Sequence, residues 1–340
     1  MNKIDKLKNF IKSIPFVGKI ASKIYSILNF IKPGGQYWEY NFKAKKFDRL
    51  IRNIASLISD NGYSLTIKSD SRIFITLTNT IKFWWTPGDP YSLLGMPLRG
   101  DFEPECTFLI NKLIKKGNTI VDIGGNFGWY SCHFAHLVGE TGKVHVFEPT
   151  NIIDDLKNNL ILNEFAGRCE LNKIALGNET GSATLFIPKK LGTAFASLRK
   201  HNNQNSDDAI NFSVNIEKLD DYVLANKIDK IDFIKIDIEG AEYLALKGAE
   251  MILEKYKPMI LLEIQEEHTK YFDHSPDELI TYLTELGYNI YDVDQNELGT
   301  LRKIKSFGEA KNYNFLALQN DHILKENGLF LKYEINIKIL

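Results

Sequence analysis

The chain has 340 residues, 44% of them apolar and 25% charged, with 42 basic against 43 acidic side chains. This composition excludes disordered, collagen-like and disulfide-scaffold classes, and the length asks for one large domain with an appendage or for two domains. A formal net charge of −1 offers nucleic acid no global field. Cys106, Cys132 and Cys169 form no CxxC pair and read as reduced thiols in a reducing compartment. No uncharged apolar run reaches the ~18 residues of a membrane span. Lys12, Lys19 and Lys23 also interrupt any signal-peptide core between Phe10 and Ile31, so a cytoplasmic chain is expected.

Residues 1–35 hold seven lysines and one acid, Asp5. Lys8, Lys12, Lys19 and Lys23 share one helical face, while Phe16, Ile20, Ile24, Ile27 and Ile31 share the other. Such a helix fits an anionic membrane interface, and equally fits packing on the rest of the protein or on a second subunit. Pro33-Gly34-Gly35 reads as a linker. A helical pattern then spans about Phe42 to Ser59, followed by alternating runs at Ser64–Ser69 and Arg72–Thr78. The aromatic stretch from Phe83 to Tyr91 reads as core before it reads as pocket lining. A helix from Pro104 to Lys116, closed by Gly117, ends this region.

From Thr119 strands and helices alternate. Strands are expected at Thr119–Ile123, Lys143–Phe147, near Cys169–Ala175, Asp232–Ile236, Pro258–Ile264, Tyr288–Val293 and Asn312–Gln319. Helices fall between them, including Ile152–Glu164, Ala241–Tyr256 and Pro276–Leu286. That rhythm means βαβ units and a mainly parallel sheet. Ser182–Ile187 and Asn211–Ile216 break it and read as an inserted hairpin. Ligands of such sheets bind outside the carboxyl ends of the strands, where the strand order switches.

The first of these strands runs into Asp122-Ile123-Gly124-Gly125-Asn126-Phe127-Gly128, and the second ends in Glu148, twenty residues after Gly128. Glycines let a backbone turn tightly against a ligand, and a carboxylate so placed suits the two hydroxyls of a ribose. Nicotinamide dinucleotides and S-adenosylmethionine both use this arrangement. The G-x-G-x-x-G spacing that seats a pyrophosphate is absent. Asp122 would repel a pyrophosphate but attract the ammonium of a methionine moiety, so the sign of charge favours S-adenosylmethionine.

The runs VDIGGNFGWYS (121–131), VHVFEP (144–149), KIALG (173–177) and IDFIKIDIEGAEYLALKGA (231–249) resemble the FkbM-type methyltransferases. The resemblance covers about Gly117 to Ile264, with Glu103 and Glu105 ahead of it. It implies a class I methyltransferase, Rossmann-like α/β fold: a mainly parallel seven-stranded sheet with helices on both faces, the inserted hairpin and an N-terminal accessory region. It also implies methyl transfer from S-adenosylmethionine to a hydroxyl, with a small-molecule or glycan acceptor. Asp122, Gly124, Asn126, Gly128 and Glu148 map to cofactor-binding positions, with Ala175 near the adenine. Gly125 stands in the same loop where the family more often has alanine, a mild departure. The chain thereby divides into a basic segment 1–35, an accessory region 36–117, a methyltransferase domain 118–322 and a tail 323–340.

A hydroxyl needs a base or a metal beside the methyl before it attacks. Asp237 and Glu239 close the fourth core strand, and strand alternation puts them on one side. Asp237 is the expected base or metal ligand, Glu239 its partner or substrate anchor, each raising the other's proton affinity. Glu263 reads first as a solvated loop residue and second as a magnesium ligand with Asp237, and His268 likewise reads as a loop residue before it reads as an alternative base. No Pro or aromatic residue follows Asp237 to stack a flipped base, so nucleic acid is not the expected acceptor. Two rivals remain. One is a nucleotide-sugar oxidoreductase or epimerase using NAD, for which Tyr243 and Lys247 supply a Tyr-x-x-x-Lys spacing. The other is a membrane-surface binding module carried by residues 1–35, with an inactive domain behind it and placement at the inner membrane face.

Overall fold

The computed structural model describes residues 64–67, 73–76, 80–85, 102–188, 193–199 and 209–331. The amphipathic segment 1–35 and the helix expected at Phe42–Ser59 lie outside the described residues. Contacts divide the chain into two units, one holding residues 1–78 and 85–98 and the other 79–84 and 99–340. In the first, β1 (Ser64–Ile67) pairs antiparallel with β2 (Ile73–Thr76), in the register Ser64↔Thr76.

The second unit carries the site. Its elements begin within β3 (Lys82–Trp85) and continue with α1 (Pro104–Leu113), β4 (Thr119–Ile123), α2 (Trp129–Val138), β5 (Lys143–Phe147) and α3 (Ile153–Leu162). Then come β6 (Cys169–Asn172), β7 (Ala175–Leu176), β8 (Gly181–Pro188), β9 (Ala209–Glu217), α4 (Leu219–Ala225) and β10 (Phe233–Ile236). Two short helices, α5 (Glu242–Lys247) and α6 (Glu250–Lys255), lead to β11 (Met259–Glu263), α7 (Glu266–Thr269) and α8 (Pro276–Glu285). The described chain closes with β12 (Asn289–Val293), β13 (Thr300–Ile304), β14 (Asn314–Leu318), α9 (His322–Glu326) and β15 (Phe330–Leu331).

These strands build a nine-stranded sheet in the order β15-β13-β12-β14-β11-β10-β4-β5-β6. From β11 to β6 all neighbours are parallel, while β14 pairs antiparallel with both β11 and β12. The seven expected strands stand in one sheet, and β13 and β15 extend its edge beyond them. The chain winds outward from β4 through β5 to β6, then returns to β10 on the other side of β4. That reversal puts the switch point between the carboxyl ends of β4 and β10.

Both faces of the sheet are covered. On one, Val121, Ile123, Ile234, Ile236, Ile260 and Leu262 pack with side chains of α4, α5, α6 and α8. On the other, Phe134 of α2 lies 5.8 Å from Phe233 of β10. Phe83 takes its place in this core, stacked 5.2 Å from Trp129, and the three cysteines are free thiols. Helix α8 is set by its own start, where Ser275 and Glu278 cap each other and Pro276 opens the first turn.

Two local expectations change, and the inserted hairpin gains a third strand. The strand expected near Cys169–Ala175 divides, and β7 leaves the large sheet to pair with β9. The expected hairpin is β8 against β9, antiparallel from Gly181↔Ile216 to Pro188↔Ala209, so a separate three-stranded sheet forms. The helix expected over Ala241–Tyr256 breaks at Gly248. There the Asp220 amide donates to the Gly248 carbonyl at 2.9 Å, and a Cβ on Gly248 would lie 2.0 Å from the Gly177 carbonyl oxygen. Asp220 then accepts from the amides of Met251 and Ile252 at 3.0 and 3.1 Å, starting α6 anew. No described helix is long and apolar enough to cross a membrane.

Candidate functional site

A cleft with about 580 Å³ of empty space, open to solvent, lies at the switch point. Its wall includes Gly124 and Asn126 from the turn after β4, Glu148 from the end of β5, Ala175 from β7, and Asp237 and Glu239 from the turn after β10. Leu185 of β8 contributes, as do Ala196 and Leu198 of the loop that follows it.

The β4 turn is built on backbone geometry. Gly124, Asn126 and Gly128 all have positive φ, at 87°, 47° and 95°. At Gly124 a Cβ would lie 2.1 Å from the Asp237 carbonyl oxygen, so only glycine lets the two turns touch. The amides of Gly124 and Gly125 both donate to the Phe147 carbonyl, at 2.9 and 3.1 Å, and Gly128 donates to Gly125 at 2.8 Å. The Asn126 amide donates to Glu148 Oε2 at 2.9 Å, while the Thr150 amide donates to Glu148 Oε1 at 2.8 Å. Glu148 is thereby fixed in place, with acceptor positions of its carboxylate still unused.

Of the expected cofactor residues, Gly124, Asn126, Glu148 and Ala175 come together on the wall, whereas Asp122, Gly125 and Gly128 stand off it. Asp122 is buried, and Ser131 Oγ donates to its Oδ2 at 2.5 Å. Burial outweighs that bond and pushes the Asp122 carboxyl up to about 6. Its carboxylate is therefore engaged with α2 instead of projecting into the cleft. A Cβ on Gly125 would fall 2.4 Å from Val146 Cγ1 and 2.9 Å from Leu156 Cδ1. The glycine there answers this chain's own packing, which makes the departure less mild than the sequence suggests.

The β10 turn is built on charge. β10 ends at Ile236, so Asp237 and Glu239 are brought to one cleft by a turn and not by strand alternation. Glu239 takes a left-handed φ of 57°, and Gly240 follows at 102°. His268 Nδ1 of α7 lies 2.7 Å from Glu239 Oε2. Burial raises the Glu239 carboxyl above its ordinary value, with the His268 hydrogen bond opposing it. For His268, burial pulls downward but the Glu239 bond and charge win, so the imidazole is raised. The Ser197 hydroxyl of the small sheet's loop donates to the Glu239 carbonyl at 3.1 Å.

Asp237 does not share a mutual rise with Glu239. Burial pushes it up, but the charge of Lys235, whose Nζ lies 3.3 Å from Asp237 Oδ2, acts together with the Glu263 hydrogen bond and the His268 charge to hold it below the ordinary carboxylate range. Glu263, hydrogen-bonded to Asp237, is pushed up to about 10 by burial and by the Asp237 charge. Among the described residues no group of three or more His, Cys, Asp or Glu is arranged to hold a metal ion. Glu242, which the sequence reading passes over, accepts from the amides of Ile238 and Gly240 at 2.8 and 3.3 Å. Burial pushes its carboxyl to about 7. The signal for Lys235 is a lysine inside the apolar strand run FIKI, and for Glu242 an acid at the first turn of a helix.

Tyr243 and Lys247 are not on the cleft wall. The Tyr243 ring stands edge-on to Tyr282 at 5.7 Å, and Lys247 Nζ lies 4.2 Å from the same ring. The pair faces α8.

Comparison with known proteins bears on this site. Residues 122–290 match the Methyltransferase FkbM domain model. Methyltransferase sdnD of Sordaria araneosa is 30% identical over 156 residues, which is 38% of this chain and 60% of that protein. The 31-O-demethyl-FK506 methyltransferase FkbM of Streptomyces tacrolimicus is 26% identical over 174 residues, 44% of this chain and 66% of that protein. The chain thus spans less than two thirds of the length of either relative. A crystal structure of methyltransferase FkbM from Methylobacillus flagellatus KT overlaps at a TM-score of 0.37 and 19% identity, covering 59% of this chain and 43% of that one. The domain match begins at Asp122, runs through the glycine turn, Glu148 and Asp237, and takes in every residue of the β10 turn. On that match residues 122–290 form an FkbM-type methyltransferase domain.

Proposed function

We propose that this protein is an S-adenosylmethionine-dependent methyltransferase that moves a methyl group to a hydroxyl of a small-molecule or glycan acceptor. The observation that carries the reading is the contrast between donors and charges in the cleft. The amides of Gly124, Gly125, Asn126 and Gly128 already donate to protein groups, while the acidic residues Glu148, Asp237 and Glu239 line the wall. A dinucleotide pyrophosphate needs free N–H donors and is repelled by carboxylates. A ligand with ribose hydroxyls and a positive centre suits the same wall. The packing of Tyr243 and Lys247 against Tyr282 further disfavours the oxidoreductase rival.

S-adenosylmethionine, when bound, supplies an electrophilic methyl group on a positively charged sulfur. The chain's own residues do the rest. Glu148 holds the ribose hydroxyls, and the Gly124 turn allows close approach. Glu239, its proton affinity raised by burial and its carboxylate oriented by His268, suits acceptance of the acceptor's proton. Asp237, paired with Lys235, suits charge stabilisation better than proton transfer. Transfer to oxygen finds support in the Streptomyces relative, which is named for a 31-O-demethyl substrate. The glycan acceptor rests on the family resemblance of the sequence.

Calorimetric titration with S-adenosylhomocysteine, with NAD as competitor and Glu148→Ala as control, tests the cofactor. Micromolar binding that NAD does not displace and Glu148→Ala loses is the expected result, and it opens an acceptor screen with and without magnesium. Binding of NAD alone would sink the reading.

A further inference from the structure

Lys235 stands in the middle of the central strand β10, between Ile234 and Ile236, and is 1% exposed. A buried ammonium is costly unless paired and bonded. Here three carboxyl groups surround it. Its Nζ lies 3.3 Å from Asp237 Oδ2 and 4.9 Å from the centre of the Tyr130 ring. The Tyr130 hydroxyl donates to Glu103, which precedes α1 and adds its own field at Lys235. Glu263, at the end of β11, hydrogen-bonds Asp237 from the neighbouring strand.

One cation cannot hold three half-buried acids ionised. Burial keeps the proton on Glu263, and it also raises Glu103. Only Asp237 is held below the ordinary range, and of the three only Asp237 is on the cleft wall. The cluster thus leaves its one stable negative charge on a residue of the cleft wall.

We propose that Lys235 is a positioning residue that keeps Asp237 as a carboxylate facing the sulfonium charge of the methyl donor, with Glu263 as the neutral hydrogen-bond donor of the pair. This deepens the reading above and rests on S-adenosylmethionine being the donor. The two forms of the cofactor offer a direct probe, because S-adenosylhomocysteine lacks the methyl group and the sulfonium charge and is otherwise the same molecule. Their affinity ratio isolates the contact without any acceptor or turnover.

The experiment titrates S-adenosylmethionine and S-adenosylhomocysteine into the wild type, Lys235→Met, Asp237→Asn and Glu263→Gln, with thermal melting to check folding. The wild type is expected to favour the charged form by about tenfold, the factor one pKa unit represents. Lys235→Met and Asp237→Asn bring the ratio close to one while retaining S-adenosylhomocysteine binding, and Glu263→Gln leaves the ratio intact. Should Lys235→Met fail to fold, Asp237→Asn and Glu263→Gln decide between them, with loss in the first and retention in the second expected. A wild-type ratio near one, an unchanged ratio in Lys235→Met, or a collapse in Glu263→Gln would overturn the proposal alone. Failure of the wild type to bind either form would overturn the donor assignment and this proposal with it.

Discussion

The turns after β4 and β10 lie side by side, touch at Gly124 and Asp237, and line one cleft, yet they are made of different things. The first is shaped by backbone: three positive-φ residues, amides tied to β5, and one fixed carboxylate. The second is shaped by side-chain charge gathered from four places, Lys235 on its own strand, Glu263 on the next, His268 on α7 and Glu103 ahead of α1. A backbone turn tolerates few substitutions and titrates only through the carboxyl groups that flank it. A charge-built turn tolerates more changes of shape and responds to pH.

Gly124→Ala breaks the first turn most directly. Its Cβ would meet the Asp237 carbonyl, and an L residue at φ 87° is strained besides. A loss of about 3 kcal/mol in urea unfolding, with S-adenosylhomocysteine binding abolished at every pH, is expected. Retained binding would show that the turns need not touch.

Glu242→Gln sharpens the contrast by pH. The Glu242 carboxyl is raised from 4.5 to about 7, so its contribution is fully present below 4.5 and is lost as pH rises through 7. That shift corresponds to about 3 kcal/mol at alkaline pH. Unfolding curves at pH 6 and 9 should show the wild type weakening and Glu242→Gln holding steady. Parallel decline in both proteins would remove Glu242 as the cause.

Glu239→Gln has the smallest expected effect. His268 is raised by its partner, so the pair's stabilisation is complete below the ordinary histidine value of 6.5 and disappears as pH climbs past the raised one. The variant should trail the wild type by about 2 kcal/mol near pH 6. By pH 9 the gap should nearly close, which melting temperatures would reveal.

The same contrast explains what could be read in advance. Alternation of strand and helix, the glycine turn and Glu148 are local patterns, each legible within some thirty residues, and so is the hairpin of β8 and β9. The charge cluster is not local. Whether Asp237 is a base or a fixed anion depends on Lys235 being buried and Glu263 being protonated, and burial is a property of the packed sheet. Asp122 misleads for the same reason, since the sequence does not show that Ser131 will claim its carboxylate. The edge strands β13 and β15 are short and gain definition only by pairing.

Helix α6 carries a last consequence, for the order of assembly. Six residues are too few to persist as an isolated helix in water. Its first amides are held by Asp220, whose bond to Met251 spans 31 positions of chain. The helix therefore has no pre-existence as a local folding unit. Its start is completed only with α4 in place, so α4 and the far half of the β10–β11 crossover are expected to open together in hydrogen exchange.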